Sequence, residues 1–189
     1  LSNSLMFIIK NNYYLYIDNI NTINLNSLKR PNKFIIIYRN FFLKENIKKL
    51  IIFKKKCNRK KIKFYIANHY NLAKKCNADG LYLSSHNKNI YHDIDVIGAA
   101  HNYKEINQKI KQRCKVILLS RLFKTTYTNK RSFLGIPKFN LIIKNYNIEI
   151  TPLGGIKNDN LLKLNLIKSN SLAIMSEIKK KPTISSRLF

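Results

Sequence analysis

The chain has 189 residues, enough for one domain with a sizeable core, and 45% of them are hydrophobic, which excludes a disordered or fibrous protein. Its three cysteines, Cys57, Cys76 and Cys114, are far apart and form no CxxC pair, which argues against a disulfide scaffold or a zinc finger and for a reducing cytoplasm. The 36 basic and 9 acidic residues give a net charge of +27, and no apolar run approaches the ~18 residues of a membrane span.

The charge suggests nucleic acid, but its make-up favours a plainer reading. There are 29 Lys, 29 Ile and 26 Asn against 7 Arg and 6 Ala, and the abundant types share AT-rich codons. Arg, the better reader of phosphates and bases, is scarce. Codon bias plus a solvated basic surface is therefore preferred to a nucleic-acid role, and the surplus charge still attracts anionic small molecules. The first ten residues lack the basic start and long apolar centre of a secretion signal, so a cytoplasmic protein is expected, with Met6 an alternative start to Leu1.

Taken in chain order, β-type apolar runs occupy Tyr13–Ile17, Phe34–Tyr38, Lys63–Ile66, Gly80–Leu83, Asp95–Gly98, Val116–Leu119, Ile148–Leu153 and Leu172–Met175. Most are short and nearly continuous in hydrophobicity, as parallel strands buried on both faces are. Helical spacing lies between them at Phe42–Lys56, Asn71–Cys76, Tyr103–Arg113, Ile136–Asn145 and Asn158–Ile167. In the third, Ile106 and Ile110 stand one turn apart, which places Lys104, Lys109 and Lys111 on the surface. In the last, Leu161, Leu162, Leu164 and Leu166 alternate with Lys163 and Asn165 in a strand-like way, but the Asp/Asn-rich start favours a helix.

Eight strands alternating with helices or short links predict a single-domain TIM barrel, (β/α)8, spanning residues 1–189, with a doubly wound sheet as the alternative. The Ser84–Ile94 crossover is short, and the residues after Ser176 leave a short or missing last helix. Chemistry in such a barrel gathers at the C-terminal strand ends. The candidates there are Asp18, Arg39, Asn68 with His69, Ser84 with Ser85, His101, the loop Ser120–Lys130, Gly154-Gly155 and Ser176. A paired glycine after a strand lets a phosphate approach backbone N–H groups, and phosphate sites recur at strands seven and eight of these barrels. His101 is a candidate proton carrier or a simple helix-start residue. His86 and His92 near Asp93 and Asp95 have no recognised metal spacing.

The ordered motifs resemble those of the thiamine phosphate synthase/TenI family. Tyr14-Leu-Tyr-Ile17 resembles its first strand, and Ile35-Ile-Ile-Tyr-Arg39 the second, which ends in Gln-x-Arg-Glu-Lys. Ile66-Ala-Asn-His-Tyr-Asn-Leu-Ala73 is similar to Asn-Asp-x-x-Asp-Leu-Ala, and Asn77-Ala-Asp-Gly-Leu-Tyr-Leu83 to Gly-Ala-Asp-Gly-Val-His-Leu. Ile97-Gly-Ala-Ala-His101 resembles Gly-x-Ser-x-His, one residue shorter, and Leu122-Phe-Lys-Thr-Thr-Tyr-Thr128 the loop Phe-Pro-Thr-x-Thr-Lys. Leu153-Gly-Gly-Ile156 and Ala173-Ile-Met-Ser176 follow at family spacing.

The resemblance implies a TIM barrel of thiamine biosynthesis, either a synthase joining an aminopyrimidine diphosphate to a thiazole phosphate or a TenI-like thiazole tautomerase. A non-catalytic binder of a phosphorylated ligand is the alternative. It implies that Thr125, Thr128, Gly154, Gly155 and Ser176 cradle the thiazole phosphate, that Arg39 and Asn68 face the diphosphate and pyrimidine side, and that His101 carries the proton. It implies Mg2+ held by two aspartates, yet Asn68 and Asn87 stand at those positions, and a neutral carbonyl is a weaker ligand for a hard dication. An oligomer is compatible with the sequence and not specified by it.

Overall fold

The computed structural model describes residues 10–40, 46–125 and 132–174. Eight parallel strands close a barrel in chain order: β1 (Asn12–Ile17), β2 (Phe34–Tyr38), β3 (Lys63–Ala67), β4 (Gly80–Leu83), β5 (Val96–Ala100), β6 (Val116–Ser120), β7 (Glu149–Leu153) and β8 (Ser171–Ile174). Each lies within two residues of its expected ends. β8 pairs with β1, with Tyr14 opposite Ala173, and that closure sets aside the doubly wound sheet.

The unbroken apolar runs reflect two separate cores. Alternate strand residues point inward, and Tyr14, Tyr16, Ile35, Ile37, Tyr65, Tyr82, Leu118 and Ala173 belong to one inner cluster. Their neighbours, among them Tyr13, Leu15, Ile36, Phe64, Leu81 and Leu119, face outward into the cluster that the helices cover. At the bottom of the barrel the Ser171 hydroxyl donates to the Glu149 carboxylate.

Among the described residues four α-helices accompany the strands: α1 (Ile47–Arg59), α2 (Tyr70–Lys75), α3 (Tyr103–Lys111) and α4 (Gly135–Ile143). α1 buries Leu50, Phe53, Lys54 and Cys57, the i, i+3, i+4, i+7 stripe of an amphipathic helix. It begins at Ile47, where Asn46 caps it with its Oδ1 accepting from the Lys48 N–H at 2.8 Å, and residues 42–45 of the expected helix lie outside the described residues. Lys54 is buried without penalty of isolation: its Nζ donates to Asp79 Oδ2 at 2.5 Å, and that carboxylate also accepts from the Phe64 N–H at 2.7 Å.

Two expectations are corrected. The helix expected over Asn158–Ile167 is a pair of 3-10 turns, Asn158–Asn160 and Leu162–Leu166. Leu164 and Ile167 are buried and Leu161 is half-buried, a spacing of three, while Leu162 and Leu166 are 65% and 67% exposed. Three residues per turn suits the 3-10 form, and an α-helix would rotate that stripe off the barrel. In α3, Lys109 is not on the surface: it is 0% exposed, and Ile110 is 39% exposed.

Three connections lack an α-helix. Between β1 and β2 run three 3-10 turns, between β4 and β5 an extended crossover, and between β7 and β8 the 3-10 pair. The expected short or missing last helix lies outside the described residues. Among the described residues no helix is long and apolar enough to cross a membrane.

Candidate functional site

β7 leaves the barrel directly into Gly154 and Gly155, with φ of +95° and +73°. Both occupy left-handed backbone that glycine tolerates best. A Cβ at Gly155 would sit 2.4 Å from the Phe123 carbonyl oxygen, so the turn threads tightly beneath the loop that follows β6. The two segments are laced together: the Leu122 N–H donates to Leu153 O at 2.9 Å and the Phe123 N–H to Gly154 O at 3.1 Å. Asn160 Nδ2 holds the Gly155 carbonyl at 2.8 Å. Arg121 lies against Gly154 and its Nη1 donates to Thr125 Oγ1 at 3.2 Å. The β6 and β7 exits thus bring Thr125, Gly154 and Gly155 together with a guanidinium. Thr128 and Ser176 lie outside the described residues.

The β2 exit carries Arg39, half-buried, with its N–H donating to Ile17 O at 2.7 Å. Below it Tyr16 and Tyr82 meet edge to face, ring centroids 5.4 Å apart at 90°. Burial raises both phenol pKa values, and the positive Arg39 opposes the rise in each, which places its charge beside these hydroxyls.

The β3 and β4 exits hold Asn68 and Asn87 in contact. Asn68 adopts φ +58°, a left-handed conformation asparagine accepts, and its Oδ1 takes hydrogen bonds from the Ser84 N–H at 2.9 Å and from Asn87 Nδ2 at 3.3 Å. The divalent cation that the resemblance implies does not fit these donors. The pair offers no anionic oxygen, and the Asn68 carbonyl is engaged by two N–H groups. Among the described residues no cluster of three His, Cys, Asp or Glu side chains suits a metal, so His86 and His92 do not form one with Asp93 and Asp95. A cavity of about 590 Å3 borders Asn68 on its outer flank, between α1 and α2, and is lined in part by Tyr38, His69, Tyr70 and Tyr91.

His101 follows β5 immediately, and Asn102 rather than His101 caps α3, its Oδ1 accepting from the Glu105 N–H at 2.9 Å. Glu105 Oε2 accepts from both the His101 N–H at 2.8 Å and His101 Nδ1 at 2.9 Å. A carboxylate accepts only, so Nδ1 carries a proton, and in the neutral ring Nε2 then presents the lone pair. Partial burial pushes the Glu105 carboxyl up, but the hydrogen bonds from His101 and Asn102 outweigh it and hold the group below its usual range.

Three residues at these exits were not singled out by sequence reasoning. Arg121 sits inside the loop named there, where basic residues are too common to stand out. Lys109 and Gln112 are fully buried behind the β4–β5 crossover. The signal for Lys109 was its i+3 spacing from Ile106, which puts it on the buried stripe of α3.

The profile of the family described as thiamine monophosphate synthase matches residues 33–178. A thiamine-phosphate synthase of Pelagibacter ubique is 32% identical over 149 residues, covering 70% of this chain and 69% of that protein. One of Prochlorococcus marinus (strain AS9601) is 26% identical over 141 residues, 71% of this chain but 40% of its own length. The matched region thus spans well under half of the Prochlorococcus proteins. Among solved structures, a thiamine phosphate pyrophosphorylase from Pyrococcus furiosus superposes with a TM-score of 0.70 at 14% identity, covering 95% of this chain and 93% of that one. A 3-hexulose-6-phosphate synthase from Salmonella typhimurium gives 0.66 at 11% identity, covering 94% of each chain, so these likenesses speak to the barrel fold alone. With most of its barrel inside the matched region, the chain belongs to the thiamine monophosphate synthase family.

Proposed function

We propose that this barrel serves thiamine biosynthesis by binding a thiazole phosphate at its C-terminal mouth, with the phosphate seated on the Gly154-Gly155 turn. The observation that carries the reading is that turn: two left-handed glycines locked under the β6 loop, beside Arg121 and Thr125. Backbone N–H groups, a hydroxyl and a guanidinium suit a phosphate dianion. The family resemblance implies Thr128 and Ser176 as further phosphate ligands, and both lie outside the described residues.

For activity, the reading favoured is a TenI-like proton transfer on the bound thiazole, with His101 Nε2 as the proton carrier and Glu105 fixing its tautomer. This chemistry asks only for a bound phosphate and a positioned base. The second reading is a synthase that also takes an aminopyrimidine diphosphate, supported by Arg39 beside Tyr16 and Tyr82 at the β2 exit. The Asn68–Asn87 pair weighs against it, because departing pyrophosphate needs charge neutralisation that two carboxamides do not supply.

The test is direct. The purified protein is offered thiazole carboxylate phosphate in deuterated water, and separately both thiamine precursors with Mg2+. Deuterium incorporation that disappears in His101→Ala while thiazole phosphate still binds supports the tautomerase. Rapid thiamine phosphate formation establishes the synthase instead, and failure to bind thiazole phosphate removes both.

A further inference from the structure

Lys109 is the feature that the proposed function leaves unused. Its stem lies across β5 at Gly98, where a Cβ would come within 2.6 Å of Lys109 Cδ, so a glycine there makes the room. Its Nζ donates to Ser84 O at 2.7 Å, Asn87 O at 2.8 Å and Gln112 Oε1 at 2.9 Å. All three partners are acceptors. A neutral amine has two N–H bonds to give and an ammonium has three, so the geometry specifies the protonated form. Lys109 forms no ion pair among the described residues. Gln112 Nε2 continues the network to Asn87 O at 3.0 Å and Asn89 O at 2.6 Å.

The loop these groups grip is the one that presents Asn87. Ser84 is held from behind through its carbonyl by Lys109 and from the mouth through its N–H by Asn68 Oδ1. Asn87 is held the same way, its carbonyl by Lys109 and its carboxamide by Asn68. We infer that Lys109 is the resident cation of this half of the mouth, a buried positioning residue that sets the Asn68–Asn87 pair and lends positive charge to a diphosphate group where the family resemblance implies a metal ion. The inference rests on the proposed reading of the mouth as a site for phosphorylated ligands. Burial lowers the Lys109 pKa, and the nearby Cys114 and Glu105 oppose that shift.

The experiment uses the full chain in EDTA, with inorganic pyrophosphate as the probe and inorganic phosphate as the control, both followed by calorimetry. Wild type is expected to bind pyrophosphate without a divalent ion. Lys109→Met, which keeps the stem and removes the charge, is expected to weaken that binding by roughly tenfold, through loss of a nearby buried positive charge and release of the loop it holds rather than loss of a direct contact. Phosphate affinity at the glycine turn is expected to stay the same. Equal pyrophosphate affinity in a folded Lys109→Met protein, or a strict Mg2+ requirement in wild type, overturns the inference. Absence of phosphate binding in wild type counts instead against the glycine-turn reading, and the pyrophosphate arm still judges Lys109. If Lys109→Met does not fold, wild type decides through lysine 15N–1H spectra at neutral pH. A slowly exchanging ammonium signal that moves when pyrophosphate is added supports the inference, and a missing or unmoved signal overturns it.

Discussion

Replacing Gly155 by Ala tests the glycine turn against its neighbour Gly154. Both substitutions force an L-residue into left-handed backbone, at about 1–2 kcal/mol each. At Gly154 little else follows, because the nearest atom to a new Cβ is Arg121 Cγ at 3.4 Å, an ordinary contact with a flexible side chain. At Gly155 the new methyl lies 2.4 Å from Phe123 O and 2.8 Å from Lys124 O, both main chain. The β6 loop must then retreat by about 1 Å to restore van der Waals separation. That movement stretches the Phe123 N–H bond to Gly154 O, now 3.1 Å. Overpacking of about 1–3 kcal/mol and a lost hydrogen bond of about 1 kcal/mol bring the total for Gly155→Ala to roughly 3–6 kcal/mol. Urea denaturation of the two variants measures the difference, and calorimetry with inorganic phosphate measures the site. Gly155→Ala should lose both stability and phosphate affinity, while Gly154→Ala loses about 1–2 kcal/mol of stability. Equal destabilisation by the two substitutions would refute the reasoning.

Asp79→Asn leaves Lys54 buried without its carboxylate; the lost ion pair costs about 2–4 kcal/mol after allowance for Asp79 being 34% exposed, and urea melts check it. Thr151 Oγ1 is buried in β7 with no partner among the described residues, so Thr151→Val should hold or raise stability by about 1 kcal/mol in the same assay. The folded Glu105 carboxyl titrates below its unfolded value, so its stabilisation is present above the unfolded pKa and is lost as pH falls through the folded one; Glu105→Gln should flatten that acid-side loss in denaturation curves taken across the range. Asn68→Asp with Asn87→Asp supplies the anionic oxygens a dication wants, and Mg2+ should then raise the melting temperature of the double variant far more than that of wild type.

The strands were legible because each is a short apolar run set off by polar or turn-forming residues, as at Phe34–Tyr38 and Gly80–Leu83, whose ends were read without error. The 3-10 turns after β7 were not, since a three-residue stripe of Leu161, Leu164 and Ile167 is too short to separate from a helical or alternating one. At the mouth, the glycine pair was visible because backbone freedom is written in the residue type. Contact between Asn68 and Asn87 was not, because it depends on the path of a helix-free crossover fixed from behind by Lys109 and Gln112. Reading Lys109 as a surface residue was the natural error, since a buried ammonium needs three acceptors that lie 3 to 25 residues away in sequence.

The inner layer of tyrosines gives the barrel its own optical probe. The chain contains 11 Tyr and no Trp, so phenol emission is neither swamped nor drained by indole. Tyr14, Tyr16, Tyr65 and Tyr82 lie in the inner cluster, and the last of these, with Tyr16, sits beside Arg39 at the mouth. An anion that draws Arg39 toward itself alters the field on those two rings. Ligand arrival at the open end is thereby convertible into a change of ultraviolet fluorescence in the unlabelled protein, free of dyes, tags or coupled reactions.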